Sequence, residues 1–299
     1  IEAPLRLSSA AEVNWASETD VIIVGLGGAG VAAALQSIEN GLSVVAIDRF
    51  EGGGATKASG GVIYAGGGTA TQTEAGVEDT PENMFNYLKM EVGTIVSDRT
   101  LRDFCEASAP TIDWMASHGV DFRADYFPHK TSYPAPQYFL YHSDNSLLHD
   151  YRAKATPAAR GHRGYVPIEQ GRKATNLGGA LFEPLRDKAT ELGLRVQTYS
   201  EARQLITNES GAVIGVKALK FSDQKIQAEY LRLRKKAQRL MTLYPPILPG
   251  FSYFMRKALK VFAQAAALES ERGPVFIRAN KAVLLSAGGF IFNRKMVKN

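Results

Sequence analysis

The stretch from Thr19 to Asp48, TDVIIVGLGGAGVAAALQSIENGLSVVAID, constrains this chain most, because it reads in succession as strand, glycine turn, helix and strand. Val21 to Val24 is a short β-branched run suited to a strand buried on both faces, and Gly25, Gly27 and Gly30 place G-x-G-x-x-G at its end. The spacing predicts a helix that starts in the glycines and is stopped by Gly41, then a second strand over Leu42 to Ile47. In such a turn the first glycine permits the sharp bend, the second lets a pyrophosphate reach the backbone, and the third lets helix and strand pack closely. The unpaired N–H groups of the helix start then face the phosphates. Asp48 arrives eighteen residues beyond Gly30, where a carboxylate can take a ribose hydroxyl. Strand before, helix after and acid at that distance point to a bound dinucleotide rather than to a structural glycine turn.

With 299 residues and 45% apolar content the chain can bury a large core, and its length allows one large domain or two. The single cysteine, Cys105, excludes an internal disulfide, reads as ordinary helix packing and argues for a reducing compartment or indifference to redox state, and a cytoplasmic protein is expected. No apolar signal region is visible at the front, and no uncharged stretch reaches bilayer-spanning length. The opening segment, IEAPLRLSS, is expected on the surface.

After Asp48 comes RFEGGGATKASGGVIYAGGGT. An NAD domain would continue into a crossover helix, whereas here Gly52 to Gly54, Gly60, Gly61 and Gly66 to Gly68 are expected to keep the backbone open for a longer cofactor. In flavoproteins such a loop passes the pyrophosphate and brings N–H groups to the flavin ring. Thr56 and Ser59 add hydroxyls. Apolar residues interleaved with the glycines argue against a flexible linker.

The run GGATKASGGVIYAGGGT, followed by DTPENMFNYL and later by ATPAARGH, resembles the flavoprotein family of fumarate reductases and 3-ketosteroid dehydrogenases over nearly the whole chain apart from residues near 220 to 273. The resemblance implies an α/β fold: a Rossmann-like FAD-binding domain, with a parallel sheet, crossover helices and a β-meander, over 1–219 and 274–299. An inserted helical hairpin occupies 220–273, and the family's substrate cap domain has no counterpart in the chain. It implies FAD contacts from Gly25, Gly27, Gly28, Ala29, Gly30, Asp48, Arg49, Gly54, Ala55, Thr56, Ala58, Ser59, Gly60 and Gly61. Ala202 is expected to meet the adenine, and Ala287, Gly288 and Gly289 to lie where the family's chain leaves the FAD domain. Relatives that attach FAD covalently use a histidine that aligns with Gly54, so non-covalent FAD is expected. The family's base and carbonyl donors lie beyond Asn299, so no catalytic residue is named.

Between the glycine loops and the hairpin, Pro81 to Val92 and Ser97 to Gly119 carry apolar residues at helical spacing, including Leu101, Phe104, Cys105, Ile112 and Met115. From Phe122 to Tyr165 follows an irregular aromatic stretch with Pro128, Pro134 and Pro136, either a pocket wall or a loop anchored by its rings. All five histidines lie in or beside it, but their spacings match no metal pattern and a metal is rejected. His162 reads either as a residue near cofactor or substrate or as a hydrogen-bonded loop histidine. Asn176 opens a helix running to Leu192, Arg195 to Tyr199 reads as a strand, and residues 201–219 as a β-meander turning at Asn208 to Gly211.

In the hairpin, Ile226, Tyr230, Leu233, Ala237, Leu240 and Tyr244 form one helical stripe, and Met255, Leu259, Phe262 and Ala266 a second. From Lys217 to Lys260 eleven basic residues face two acids, a local net of +9 in a chain that carries only +5. With the apolar tip residues Tyr244, Ile247, Leu248, Phe251 and Phe254, this suits an anionic membrane surface. A hairpin packed on its own domain or on a second subunit suits the same residues, and nucleic acid is disfavoured because no binding motif accompanies the charge. Three functions stay open: a flavin dehydrogenase acting on a 3-oxo-steroid or similar flat ketone, a fumarate or enoate reductase of the same family, and a non-catalytic flavin-binding or membrane-tethering module.

Overall fold

The computed structural model describes residues 2–171, 177–242, 250–289 and 294–298. Along the chain run β1 (Leu5–Arg6), β2 (Trp15–Val24), α1 (Gly28–Glu39), β3 (Val44–Ile47), α2 (Gly54–Ala58), β4 (Val62–Tyr64) and α3 (Ala70–Glu74). There follow α4 (Pro81–Val92), α5 (Asp98–Ser117), β5 (Tyr126–Lys130), β6 (Leu140–His142), α6 (His149–Arg152), β7 (Gly161–Arg163), α7 (Ile168–Gly171) and α8 (Gly179–Glu191). The chain continues through β8 (Arg195–Gln197), β9 (Glu201–Thr207), β10 (Val213–Phe221), α9 (Gln224–Thr242), α10 (Phe251–Ala267) and β11 (Arg272–Leu285). These elements form two compact units, one of residues 1–24, 42–52 and 195–285, the other of 25–41, 53–194 and 286–299.

The first unit is a seven-stranded sheet in the order β1-β9-β10-β11-β2-β3-β8. Its β11-β2-β3-β8 part is parallel, and β9-β10-β11 is the antiparallel meander. Val21 to Val24 and Val44 to Ile47 are buried along their whole length, as β-branched runs in a parallel sheet covered on both faces must be. Ile22, Val24, Val45, Ile47, Val216, Ala218, Ile277 and Ala279 make one core cluster. The two apolar runs read separately near the end of the sequence are one 14-residue strand, antiparallel to β10 and parallel to β2, with a register shift between Ala279 and Ala282.

The opening segment lies on the surface as expected, with Ala3, Pro4, Arg6, Ser8 and Ser9 exposed, but it is tied down there: Leu5 and Arg6 pair with Ile206 and Thr207, and Leu7 is buried. A two-residue strand carries too little periodicity to be read from sequence, and here it covers the open edge of β9. The hairpin helices pack on this unit through Tyr230, Leu233 and Ala237 of α9 and Val261 and Ala265 of α10, with Phe221 and Tyr199. The stripe expected on α10 is shifted, since Ala258, Val261 and Ala265 are buried while Leu259 is 57% exposed and Ala266 faces solvent. Alanine lets the helices approach, so the smaller side chains take the seam and the larger Leu259 is turned out. Tyr244, Ile247 and Leu248 of the expected tip lie outside the described residues.

In the second unit β4-β7-β6-β5 form a four-stranded sheet. The proline-interrupted aromatic stretch supplies three of those short strands, and its rings pack on one another: Phe127 on Tyr138 at 5.0 Å, Phe139 on Tyr165 at 5.3 Å, Tyr126 on His142 at 5.9 Å. Helix α4 has the bounds the pattern predicts, with Thr80 capping and Pro81 in its first turn. Phe104 does not join the buried stripe of α5 and is 48% exposed, whereas its neighbour Cys105 is buried against Met84, Phe85 and Leu101.

Candidate functional site

In the second unit three backbone segments meet. Gly25 bends at φ +94°, and a Cβ there would stand 2.6 Å from the Ser286 carbonyl oxygen and 2.8 Å from the Ala287 Cα. A Cβ on Gly30 would overlap the Gly25 carbonyl oxygen and stand 2.9 Å from Ser286 Oγ, which itself donates to Gly25 O at 2.6 Å. The pairing of Leu285 with Val24 explains this meeting, since the residues that follow leave adjacent parallel strands side by side.

Gly27 is different. A Cβ there would meet nothing nearer than Gly53 O at 3.9 Å, and one on Gly54 nothing nearer than the Gly27 Cα at 3.8 Å, so these glycines line open backbone. Gly27 is the N-cap of α1, no side chain caps the helix and no acid stands in its first turn. An uncapped helix start leaves N–H donors and a partial positive charge for an anion. The arrangement fits a diphosphate, with Ala29 exposed at that start and Gly28 N–H donating to Thr56 Oγ1 at 3.1 Å.

The second glycine loop divides into two parts with different uses. Gly54, Ala55, Thr56 and Ala58 form α2, and Gly54, Ala55, Ala58 and Ser59 are exposed. Ser59 Oγ accepts from Gly61 N–H at 3.1 Å and donates to Thr56 O at 2.8 Å. Gly178 N–H donates to Ser59 O at 3.0 Å, and a Cβ on Gly178 would stand 2.8 Å from Ser59 Oγ. The start of α8 therefore buttresses this loop, a role the paired glycines at 178 and 179 signal in sequence. Asn176 lies outside the described residues.

The later glycines, expected to be open to a cofactor, are not. Gly66 N–H donates to Ser108 Oγ at 2.9 Å, Gly67 N–H to Asp79 Oδ2 at 3.0 Å, and Gly68 and Thr69 N–H to Gln72 Oε1 at 3.1 and 3.0 Å. Asp79 in turn takes Nε and Nη2 of the fully buried Arg160, both at 2.8 Å. Burial alone would raise the Asp79 carboxyl, but the bonds and charge of Arg160 outweigh it and hold the group below its ordinary value. Arg160 Nη1 also approaches Asp144, which accepts from Tyr64 Oη at 2.8 Å. The close approach that Gly66 permits is to this ion pair, since a Cβ there would stand 2.6 Å from Asp79 Oδ2.

His162 lies beside the same network, fully buried, with Nε2 2.9 Å from Thr69 Oγ1 and Nδ1 3.3 Å from the Arg160 carbonyl oxygen. Burial pushes its pKa down to about 4. These contacts favour the hydrogen-bonded reading of His162. His118 similarly faces Glu39 at 2.7 Å and the Trp114 carbonyl at 2.7 Å.

In the first unit Asp48 follows β3, half-buried, its Oδ1 accepting Phe50 N–H at 2.8 Å. Asp48 O accepts from Ser200 N–H at 2.8 Å, which brings the segment beside Glu201 and Ala202 at the start of β9. Arg49 reaches Glu201 at 3.8 Å and Glu269 at 3.3 Å. Ala202 pairs with Ala218 of the meander. Ala287 is exposed, and Gly288, at φ +84°, and Gly289 have open space at their Cα hydrogens. Sequence reasoning missed Ser286, which follows a run read only for its apolar character.

Residues 20–243 match the family described as the FAD binding domain. Among curated proteins, the 3-oxo-5-alpha-steroid 4-dehydrogenase of Comamonas testosteroni is 37% identical over 219 residues, covering 72% of this chain and 40% of that protein. Among solved structures, the 3-ketosteroid-delta4-(5alpha)-dehydrogenase of Rhodococcus jostii RHA1, in complex with 4-androstene-3,17-dione, is 27% identical. It superposes with a TM-score of 0.74 over 99% of this chain and 50% of its own. A flavocytochrome c3 fumarate reductase, 21% identical, shares the fold with a TM-score of 0.55 over 96% of this chain and 36% of its own. The chain thus spans half or less of these proteins.

Proposed function

The chain belongs to the FAD binding domain family, and from that premise we propose that it is the FAD-binding part of a flavin-dependent oxidoreductase acting on CH–CH groups, of the 3-ketosteroid Δ4-(5α)-dehydrogenase type. The observation that carries the substrate class is the 37% identity to a 3-oxo-5-alpha-steroid 4-dehydrogenase, joined to a glycine cradle whose open part suits a diphosphate. Bound FAD would supply a two-electron acceptor, taking at N5 the hydride of a 3-oxo-steroid as a base removes a proton from the adjacent carbon. The chain's own part is binding and orientation. Gly27, Gly28 and Ala29 at the start of α1 meet the pyrophosphate, Gly54, Ala55, Thr56, Ala58, Ser59, Gly60 and Gly61 follow it toward the flavin, and Asp48 takes the adenosine ribose with Arg49 and Ala202 nearby. Ala287 to Gly289 complete the backbone lining. FAD is held without a covalent bond, because Gly54 stands where covalent relatives carry histidine.

Three measurements test this reading. Acid precipitation of the FAD-loaded protein should release yellow flavin into the supernatant, and flavin that stays in the pellet sinks the non-covalent claim. Asp48→Ala should lower FAD affinity by about 1.5–3 kcal/mol, the range for hydrogen bonds to charged groups. In the full-length protein, which carries the segments beyond Asn299 that the family uses for the base and carbonyl donors, anaerobic bleaching of the flavin by a 3-oxo-5α-steroid but not by succinate is expected. Bleaching by succinate alone would transfer the reading to the fumarate reductases, and bleaching by neither would leave a non-catalytic flavin-binding module.

No helix among the described residues is long and apolar enough to cross a membrane. We further propose that the protein works in the cytoplasm and meets the bilayer surface peripherally through the hairpin. Arg232, Lys235, Lys236 and Arg239 line a surface groove with Leu240, and Tyr253 is exposed on α10, a composition that suits anionic headgroups.

A further inference from the structure

The foot of the basic hairpin is tied to the segment that carries Asp48. Asp48 N–H donates to Gln197 O at 3.0 Å, Asp48 O accepts from Ser200 N–H at 2.8 Å, and Phe50 O accepts from Tyr199 N–H at 3.1 Å. Between these bonds Tyr199 is held at φ +54°, and no other described residue except glycine has a positive φ. Bulky residues avoid that region unless their surroundings impose it. Here the surroundings are Glu51, whose Oε1 accepts from Tyr199 Oη at 2.7 Å, and Tyr230 of α9, which meets the Tyr199 ring edge-on at 6.0 Å.

Tyr230 is fully buried, and its hydroxyl donates to Glu269 Oε1 at 3.0 Å. Four residues on, the Arg234 guanidinium lies over the Phe50 ring at 4.3 Å and donates to Tyr230 Oη at 3.4 Å. Glu269, just past α10, pairs with Arg49 at 3.3 Å and with Arg272 at 3.3 Å, and Arg272 pairs with Glu201 at 3.1 Å. Both stretches assigned to the adenosine half of FAD, 48–51 and 201–202, thus rest on the hairpin's foot.

We propose that this foot braces the adenosine half of the FAD site: Arg234 and Tyr230 are positioning residues that hold Asp48 to Glu51 in the shape that receives adenosine, so the seating of the hairpin sets how tightly FAD is retained. The proposal rests on the assignment of Asp48 to the ribose. It follows by linkage that a partner binding the hairpin only in its seated position raises FAD affinity, and that FAD strengthens that partner's binding by the same factor.

The test titrates the apoprotein with FAD, with ADP, which carries only the adenosine half, and with FMN, which lacks it. Arg234→Ala should weaken FAD and ADP by the same factor, about three- to thirtyfold as a cation–π contact spans, and leave FMN unchanged. Tyr230→Phe keeps the buried ring, so it serves as the second variant if Arg234→Ala fails to fold, and should cost FAD and ADP about two- to tenfold. Gln238→Ala, on the solvent side of α9, should change none of the three. Wild-type FAD affinity in both foot variants, or an FMN loss equal to the FAD loss, overturns the brace. Asp48→Ala separates the two readings. If it weakens FAD and ADP while the foot variants do not, the brace alone falls, and if it changes neither, the ribose assignment falls and the brace with it.

Discussion

Gly27 and Gly30 stand three residues apart in one motif and answer to different forces. Gly30 is required by the protein itself, because a Cβ would overlap the Gly25 carbonyl oxygen and press on Ser286 Oγ. Gly27 is required only by what approaches it, because its surroundings within the chain are open. Gly30→Ala should therefore destabilise the fold by about 1–3 kcal/mol, as overpacking does, and lower the melting temperature without any ligand. Gly27→Ala should melt as the wild type does without FAD and lose FAD affinity in a titration. Equal melting losses in both would contradict the division. His162 makes a pH prediction of definite sign. Burial lowers its pKa from 6.5 to about 4, so between those values the unfolded chain binds a proton that the folded one does not. The stability this supplies is present above about pH 6.5 and is lost as pH falls toward 4, at about 1.4 kcal/mol per unit. Urea midpoints at pH 6.5 and 4.5 should converge in His162→Gln relative to wild type.

At the scale of elements, the hairpin carries both a buried seam and a cationic face. The stripe on α9, Ala237 included, was legible from its spacing, whereas the buried Ala258 and Ala265 of α10 were hidden from a reading that ranks positions by hydrophobicity, because alanine at a helix crossing is chosen for distance. The face is legible from sequence, since charge needs no partner to be counted. Each basic residue near an anionic surface contributes about 1 kcal/mol, and the attraction is screened within roughly 8 Å at physiological salt. The protein should sediment with anionic vesicles at low salt, less so at high salt, and not with neutral ones. Reversing Lys235, Lys236 and Arg239 to Glu should abolish the effect. A protein that stays in the supernatant throughout would make the hairpin a packing or subunit element. The Gly66 to Thr69 turn gives the opposite case: an element read as open to a cofactor is closed by Ser108, Asp79 and Gln72, with Arg160 buried behind it.

For the whole molecule, FAD that binds only the folded chain should add stability by mass action, about 2.7 kcal/mol at a hundredfold excess over its dissociation constant. Thermal unfolding followed with rising FAD should show a concentration-dependent increase in melting temperature, and an unchanged midpoint would contradict specific binding. The glycine motif, the succession of strand, helix and strand from Val21 to Ile47, the bounds of α4 and the meander turn were determined by the sequence alone. Each follows from forces that act within a few residues: the sterics of φ, the periods of 2 and 3.6, and the caps. Tertiary structure decided the rest. Ser286 reaches Gly25 across 261 residues and Arg160 reaches Asp79 across 81, so no local pattern could announce either contact. Leu5 and Arg6 became a strand because β9 offered an edge, Tyr199 took a positive φ because Phe50, Glu51 and Tyr230 surround it, and Leu259 faced outward because two alanines fitted the helix crossing better. In each case the deciding energy is that of a partner distant in the chain, which exists for a residue only after the fold has brought the two together.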